Sequence, residues 1–212
     1  MLLAALALLP LANPTAPATT PLAELLGQWE SADRTAEGVG NILEFRADGC
    51  VTQISASMAE ADYRLVDDRL ITTWKDLATG KISEVETHVE FEGANRFLEK
   101  SDTADATDSW SERVGPSASY SGSPLAGQWC AVFLEMLPMY REFKDGRLYN
   151  RLPVVVIRGR YTVDGGVLNV TMQEQPLGNC PFRFEDGNLV IKSRNGSEKK
   201  YRRPATSLLA GY

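Results

Sequence analysis

The chain has 212 residues, 43% of them hydrophobic and 24% charged, with a formal charge of −6. That composition is ordinary for a folded globular protein and excludes an extended disordered one, and the length allows one large or two small domains. An acidic balance of this kind gives no footprint for nucleic acid. The chain begins MLLAALALLPLANPTAPA, whose apolar run Leu2 to Leu11 is about half of the roughly twenty residues a membrane-spanning helix needs. Followed by the small-residue site Ala16-Pro17-Ala18, and although it lacks a basic lead, the run reads as a signal peptide over 1–18. A periplasmic or secreted product with no transmembrane segment after processing is the expectation.

Leu25 to Trp29, LLGQW, opens the first half, and LAGQW, Leu125 to Trp129, opens the second one hundred residues later. After each tryptophan similar strings follow in one order. They align Phe45 with Phe143, Asp48-Gly49 with Asp145-Gly146, Tyr63 with Tyr161, Leu70 with Leu168 and Phe91 with Phe184. The chain is thus read as two tandem repeats, 21–114 and 124–204, joined by a Gly/Ser-rich linker at 115–123 and followed by a C-terminal tail at 205–212.

Within each repeat the apolar residues alternate. Val85, Thr87, Val89 and Phe91 share one side of their segment while Glu84, Glu86, His88, Glu90 and Glu92 share the other, which is the period of a half-buried strand and not of a helix. Asp164-Gly165-Gly166, Asp186-Gly187 and Asn195-Gly196 supply tight hairpin turns between such runs. A repeat of this length holds roughly eight short strands, and so long a meander hides its edges most simply by closing on itself. The fold class predicted is all-β, with two small antiparallel up-and-down barrels in tandem.

The Gly-x-Trp opening, preceded by the short apolar turn PLAELL, resembles the lipocalins and their abbreviated bacterial relatives. The resemblance implies that the tryptophan closes one end of a barrel and that an arginine near the last strand lies across its ring. The matching positions are Gly27 and Trp29 with Arg113, and Gly127 and Trp129 with Arg202, although Arg202 and Arg203 are indistinguishable by sequence. A second resemblance, through LAGQWC and a later cysteine, is to the small periplasmic barrels that inhibit metalloproteases. That alternative predicts an extended, free segment at Thr19 to Glu24.

Three cysteines remain. In an oxidising compartment Cys130 and Cys180 would bridge a loop of about fifty residues, worth roughly 4 kcal/mol in the chain-entropy model; otherwise both are small buried thiols. Cys50 is the odd one, a free thiol or a link between copies. The single histidine, His88, lies between Glu86 and Glu90 on a polar strand face, which reads as a solvated row and not a metal site. With no phosphate-binding glycine loop, nucleophile elbow or Cys-x-x-Cys pair, the chain presents no catalytic residues and implies no cofactor.

Charge divides the halves. Residues 21–115 carry twenty acidic and nine basic side chains, a net of −11, and residues 116–212 carry eight and thirteen, a net of +5. Opposite charge can dock the halves or direct the basic one to an anionic envelope component. The segment CAVFLEMLPMYR, Cys130 to Arg141, is apolar where its counterpart is polar. Phe133, Met136, Met139 and Tyr140, with Tyr161, are therefore the candidate contacts for a small apolar ligand, and Arg158 and Arg160 those for an anionic one. The reading is a binding or structural module of the cell envelope and not an enzyme.

Overall fold

A computed structural model describes residues 21–100, 108–114, 122–133, 136–206 and 208–209. The signal-peptide segment and most of the linker lie outside them. After a short helix α1 (Pro21–Leu25) come seven strands, β1 (Gly27–Ser31), β2 (Val39–Phe45), β3 (Cys50–Val66), β4 (Arg69–Lys75), β5 (Ile82–Phe91), β6 (Arg96–Lys100) and β7 (Ser109–Arg113). Seven more follow, β8 (Gly127–Phe133), β9 (Leu137–Lys144), β10 (Arg147–Asp164), β11 (Val167–Met172), β12 (Gln175–Glu185), β13 (Asn188–Lys192) and β14 (Glu198–Arg202). All pairings are antiparallel, and the fold is all-β as expected. The Asp-Gly turns act as predicted: Asp145 and Gly146 have φ of 51° and 74°, and Asp186 and Gly187 have 51° and 75°. Both central residues at positive φ give the turn whose twist suits a two-residue hairpin.

The order of pairing differs from expectation. Each strand pairs with the next, β7 continues into β8, and β14 pairs with β1, so the path of hydrogen bonds returns to its start. β3 and β10 also pair with each other, from Arg147 opposite Asp62 to Arg160 opposite Cys50. That cross-pair splits the path into two circuits of eight strands. Circuit A holds β1, β2, β3 and β10 to β14; circuit B holds β3 to β10.

Neither half therefore closes on itself, as the tandem reading required; each circuit draws strands from both. The physical reason is the length of β3 and β10, 17 and 18 residues, against a usual strand of about five or six. Each is long enough to serve one circuit and run on into the other. A bulge between Pro153 and Val155 shifts the register of β10, which reverses the side chains beyond it. Leu148 thus packs in circuit B while Ile157 and Tyr161 pack in circuit A.

Each circuit encloses an apolar cluster. Circuit A is filled around Leu25, Trp29, Phe45, Tyr161, Leu168 and Leu189, and circuit B around Leu70, Phe97, Leu125, Trp129, Phe143 and Leu148. A third cluster lies on the opposite face of β2, β3, β10 and β9. There Leu208 and Leu209 of the C-terminal tail cover Ile42, Ile54, Ala56 and Met58, and the Thr206 hydroxyl donates to Glu142. Among the described residues, the ion pairs of Arg141, Arg147, Arg151 and Arg202 with Glu30, Glu60, Asp62 and Glu99 join the halves, base from the second and acid from the first, so opposite charges meet where one half docks on the other.

Candidate functional site

Each tryptophan is buried in the core of one circuit and bonds locally. Trp29 Nε1 donates to Leu25 O at 2.8 Å, and Trp129 Nε1 to Leu125 O at 2.7 Å. Gly27, at φ 95°, brings the backbone under an arginine: a Cβ there would stand 3.2 Å from a guanidinium nitrogen of Arg203. It is Arg203, and not Arg202, whose Cζ lies 3.7 Å over Trp29. Arg113, assigned to Trp29 by the tandem reading, lies 4.1 Å over Trp129. Both corrections follow from the exchange of strands, since β14 neighbours β1 and β7 neighbours β8. Arg202 turns the other way and donates to Glu30 Oε1 at 3.1 Å.

The predicted ligand residues do not come together. Phe133, Met136, Met139 and Tyr140 belong to the β8–β9 hairpin of circuit B. Arg158 and Arg160 are exposed on the part of β10 that belongs to circuit A. Arg160 donates to Asp48 O at 3.4 Å, and Tyr161 is buried against Phe45 with its hydroxyl on Arg46 O at 2.9 Å. Tyr161 borders a cavity of about 610 Å³ with Leu22, Ala47 and Val163, at the α1 end of circuit A. Tyr140 packs outward, against the third cluster.

Circuit B has a feature that sequence reasoning missed. Along β9 the residues facing inward are Phe143, Arg141 and Met139, by alternation from Phe143 in the core. Register places Trp129 and Asn150 beside Arg141, and Ala131 and Ser111 in the row of Met139. From the opposite wall, Glu99 of β6 reaches Arg141 Nη1 at 2.5 Å and accepts from Thr87 at 3.1 Å. Above the apolar core there is thus a polar layer of Arg141, Glu99, Thr87, Ser111 and Asn150. Three buried atoms in it, Arg141 Nε, Ser111 Oγ and Asn150 Oδ1, have no hydrogen-bond partner among the described residues.

Circuit A differs at this point. Its polar residues satisfy one another: Asn41 N donates to Ser31 Oγ at 2.8 Å, and Asn41 Oδ1 accepts from Ser55 at 2.9 Å and Gln53 at 3.4 Å. Beyond the polar layer of circuit B the β8–β9 connection carries Met136, 79% exposed. Arg141 and Glu99 neutralise each other across the layer. The available signal was the position of Arg141, two residues before a core phenylalanine on one strand.

Cys50, Cys130 and Cys180 are all free thiols. Cys130 is on β8 of circuit B and Cys180 on β12 of circuit A, so strand exchange separates the pair expected to bridge. Burial, then Glu112, pushes the Cys130 thiol up, and burial does the same for Cys180, which keeps both protonated. His88 Nδ1 lies 3.2 Å from Asp68, while Glu86 pairs with Arg69 and Glu90 with Lys100. No cluster of metal-binding side chains occurs among the described residues. Glu24 and Leu25 are helical, Leu25 is buried and Glu24 O accepts from Arg203, so that part of the segment which the inhibitor alternative required to be free is anchored. No family model, curated protein or solved structure matches the chain.

Proposed function

We propose that the protein is an exported, lipocalin-like binding module of the cell envelope, in which both circuits are small up-and-down barrels and circuit B holds one small amphipathic ligand. The reading rests on the polar layer and the exposed Met136 beyond it. A buried polar atom without a partner costs about 1–3 kcal/mol, and Arg141 Nε, Ser111 Oγ and Asn150 Oδ1 stand in one enclosed layer. A guest that meets them must accept from Arg141, donate to Asn150, and do either with Ser111.

The head group that fits is polar and uncharged. Glu99 already balances Arg141 at 2.5 Å, and an anionic head would set a second negative charge beside Glu99. The tail of the ligand would leave past Met139 and Met136, whose flexible thioethers adapt to varied apolar shapes. The exported location is carried by the signal-peptide reading of residues 1–18 alone.

The test is a titration of the full chain with dodecanol and with dodecanoate, followed by intrinsic tryptophan fluorescence, since Trp129 is the register neighbour of Arg141. Dodecanol should bind saturably and more tightly than the carboxylate. Met136→Glu, at an exposed rim position that the fold does not depend on, should abolish that binding. Absence of saturable binding by either compound, or indifference to Met136→Glu, would remove the proposal.

A further inference from the structure

Where β1, β3, β10 and β14 meet, outside both enclosed cores, four arginines converge on two carboxylates. Glu30 is fully buried and takes Arg34 at 3.2 Å, Arg151 at 3.1 Å and Arg202 at 3.0 Å. Glu60 takes Arg34 at 2.7 Å, Arg151 at 3.3 Å and Arg147 at 3.8 Å. Arg151 is itself fully buried, and its Nε has no acceptor among the described residues. Arg147 also pairs with Asp62 at 2.8 Å, and Arg147 and Arg202 are about half exposed, so the more buried part of the cluster is Arg34 and Arg151 against Glu30 and Glu60.

Two recesses flank this cluster and share Arg34, Ala36, Glu60 and Leu77. The first, of about 530 Å³, is electrically mixed, since Arg147 and Lys75 face Glu37 and Asp76 across it. The second, of about 520 Å³, is lined by Ala32, Arg34, Thr35 and Arg202. Around it Arg34, Arg151 and Arg202 stand with Glu30 and Glu60, and the Glu37 carboxylate hydrogen-bonds Thr35 of its lining. Arg202 spends Nε and Nη2 on Glu30 and leaves its side chain half exposed, so one edge of its planar fork remains for a ligand.

We infer that this second recess is a binding site for a small oxyanion, a phosphate or carboxylate group seated on Arg202 and Arg34. Charge-assisted, planar contacts of this type are the strong ones. The buried Glu30 and Arg151 act as positioning residues: they hold the two outer guanidinium groups in place before the anion arrives, which lowers the ordering cost of binding. The site is independent of the amphipathic ligand proposed for circuit B, because none of its residues lines that interior.

Calorimetric titration of the full chain with pyrophosphate tests the soluble form of this ligand, and flotation with phosphatidylglycerol-containing vesicles tests the lipid-borne form. Arg202→Gln should weaken binding about tenfold or more in whichever arm binds. Ala32→Glu, which sets a carboxylate in the recess without touching the ion pairs, should do the same. Arg158→Gln, on an exposed stretch of β10 outside the recess, should leave affinity unchanged. Binding in neither arm, or binding that Arg202→Gln and Ala32→Glu leave intact, overturns the site; dodecanol binding in circuit B should be untouched by both variants.

Discussion

Phe45 meets Tyr161 edge-on, with ring centroids 5.1 Å apart and planes at 80°, and Tyr63 meets Phe143 in the same manner at 5.0 Å and 82°. Sequence aligns Phe45 with Phe143 and Tyr63 with Tyr161, so each contact joins one half's phenylalanine to the other half's tyrosine. Every circuit is completed by strands the other half supplies. Each half made alone should therefore lack a closed sheet and show no cooperative unfolding transition, whereas the two halves mixed in solution should regain the near-ultraviolet circular dichroism of the intact chain. A half that unfolds cooperatively by itself would contradict the exchange of strands.

The strands and their turns were legible because alternation and Asp-Gly pairs act locally. The partner of each strand was not, and for a definite reason. If the two halves carry matching residues at matching positions, Phe45 finds an equivalent tyrosine in either arrangement, and the local pattern is the same whichever half completes the circuit. The deciding feature was the run of β3 through to Val66 and of β10 through to Asp164, about three times a usual strand, with β10 carried past Pro153 by its bulge. The buried ions were hidden by the ordinary assumption that charge in a strand faces water. Their trace in the sequence is the split of net charge between the halves, which the cross-half ion pairs explain.

Arg203 and Arg202 are neighbours with opposite duties, one over Trp29 and one on Glu30. Stacking on indole is worth about 0.5–2 kcal/mol, and Arg203 also donates to Leu26 O at 2.8 Å and Gln28 O at 3.2 Å. Arg203→Ala should lower stability in urea by about 1–3 kcal/mol. Arg203→Lys should recover only part of that, because an ammonium lacks the flat fork. Arg202→Ala should leave the fluorescence of Trp29 unchanged where Arg203→Ala shifts it.

Glu30 and Arg151 form the most deeply buried ion pair among the described residues, with side chains 0% and 1% exposed. Removing one partner strands the other charge, and Arg151→Met should cost about 3–5 kcal/mol. The double change Glu30→Met with Arg151→Met should cost much less than the sum of the singles, since both desolvation penalties vanish together. A double-mutant cycle in urea measures the coupling. Additive costs would mean that the two groups do not depend on each other.

Acid should act through Glu60. Burial alone would raise its carboxyl, but Arg34 and then Arg151 outweigh burial and hold it below the ordinary carboxylate range. A group whose pKa is lower in the folded chain contributes stability that is complete above its unfolded value of about 4.3 and is lost as pH falls through the folded value. Thermal melting between about pH 3 and 7 should therefore show a plateau on the neutral side and a decline on the acid side. In Glu60→Gln the neutral plateau should be lower and the acid decline shallower, because the protonation that releases Arg34 and Arg151 has been made permanent. An acid decline as steep in Glu60→Gln as in the parent would place the acid-sensitive group elsewhere in the molecule.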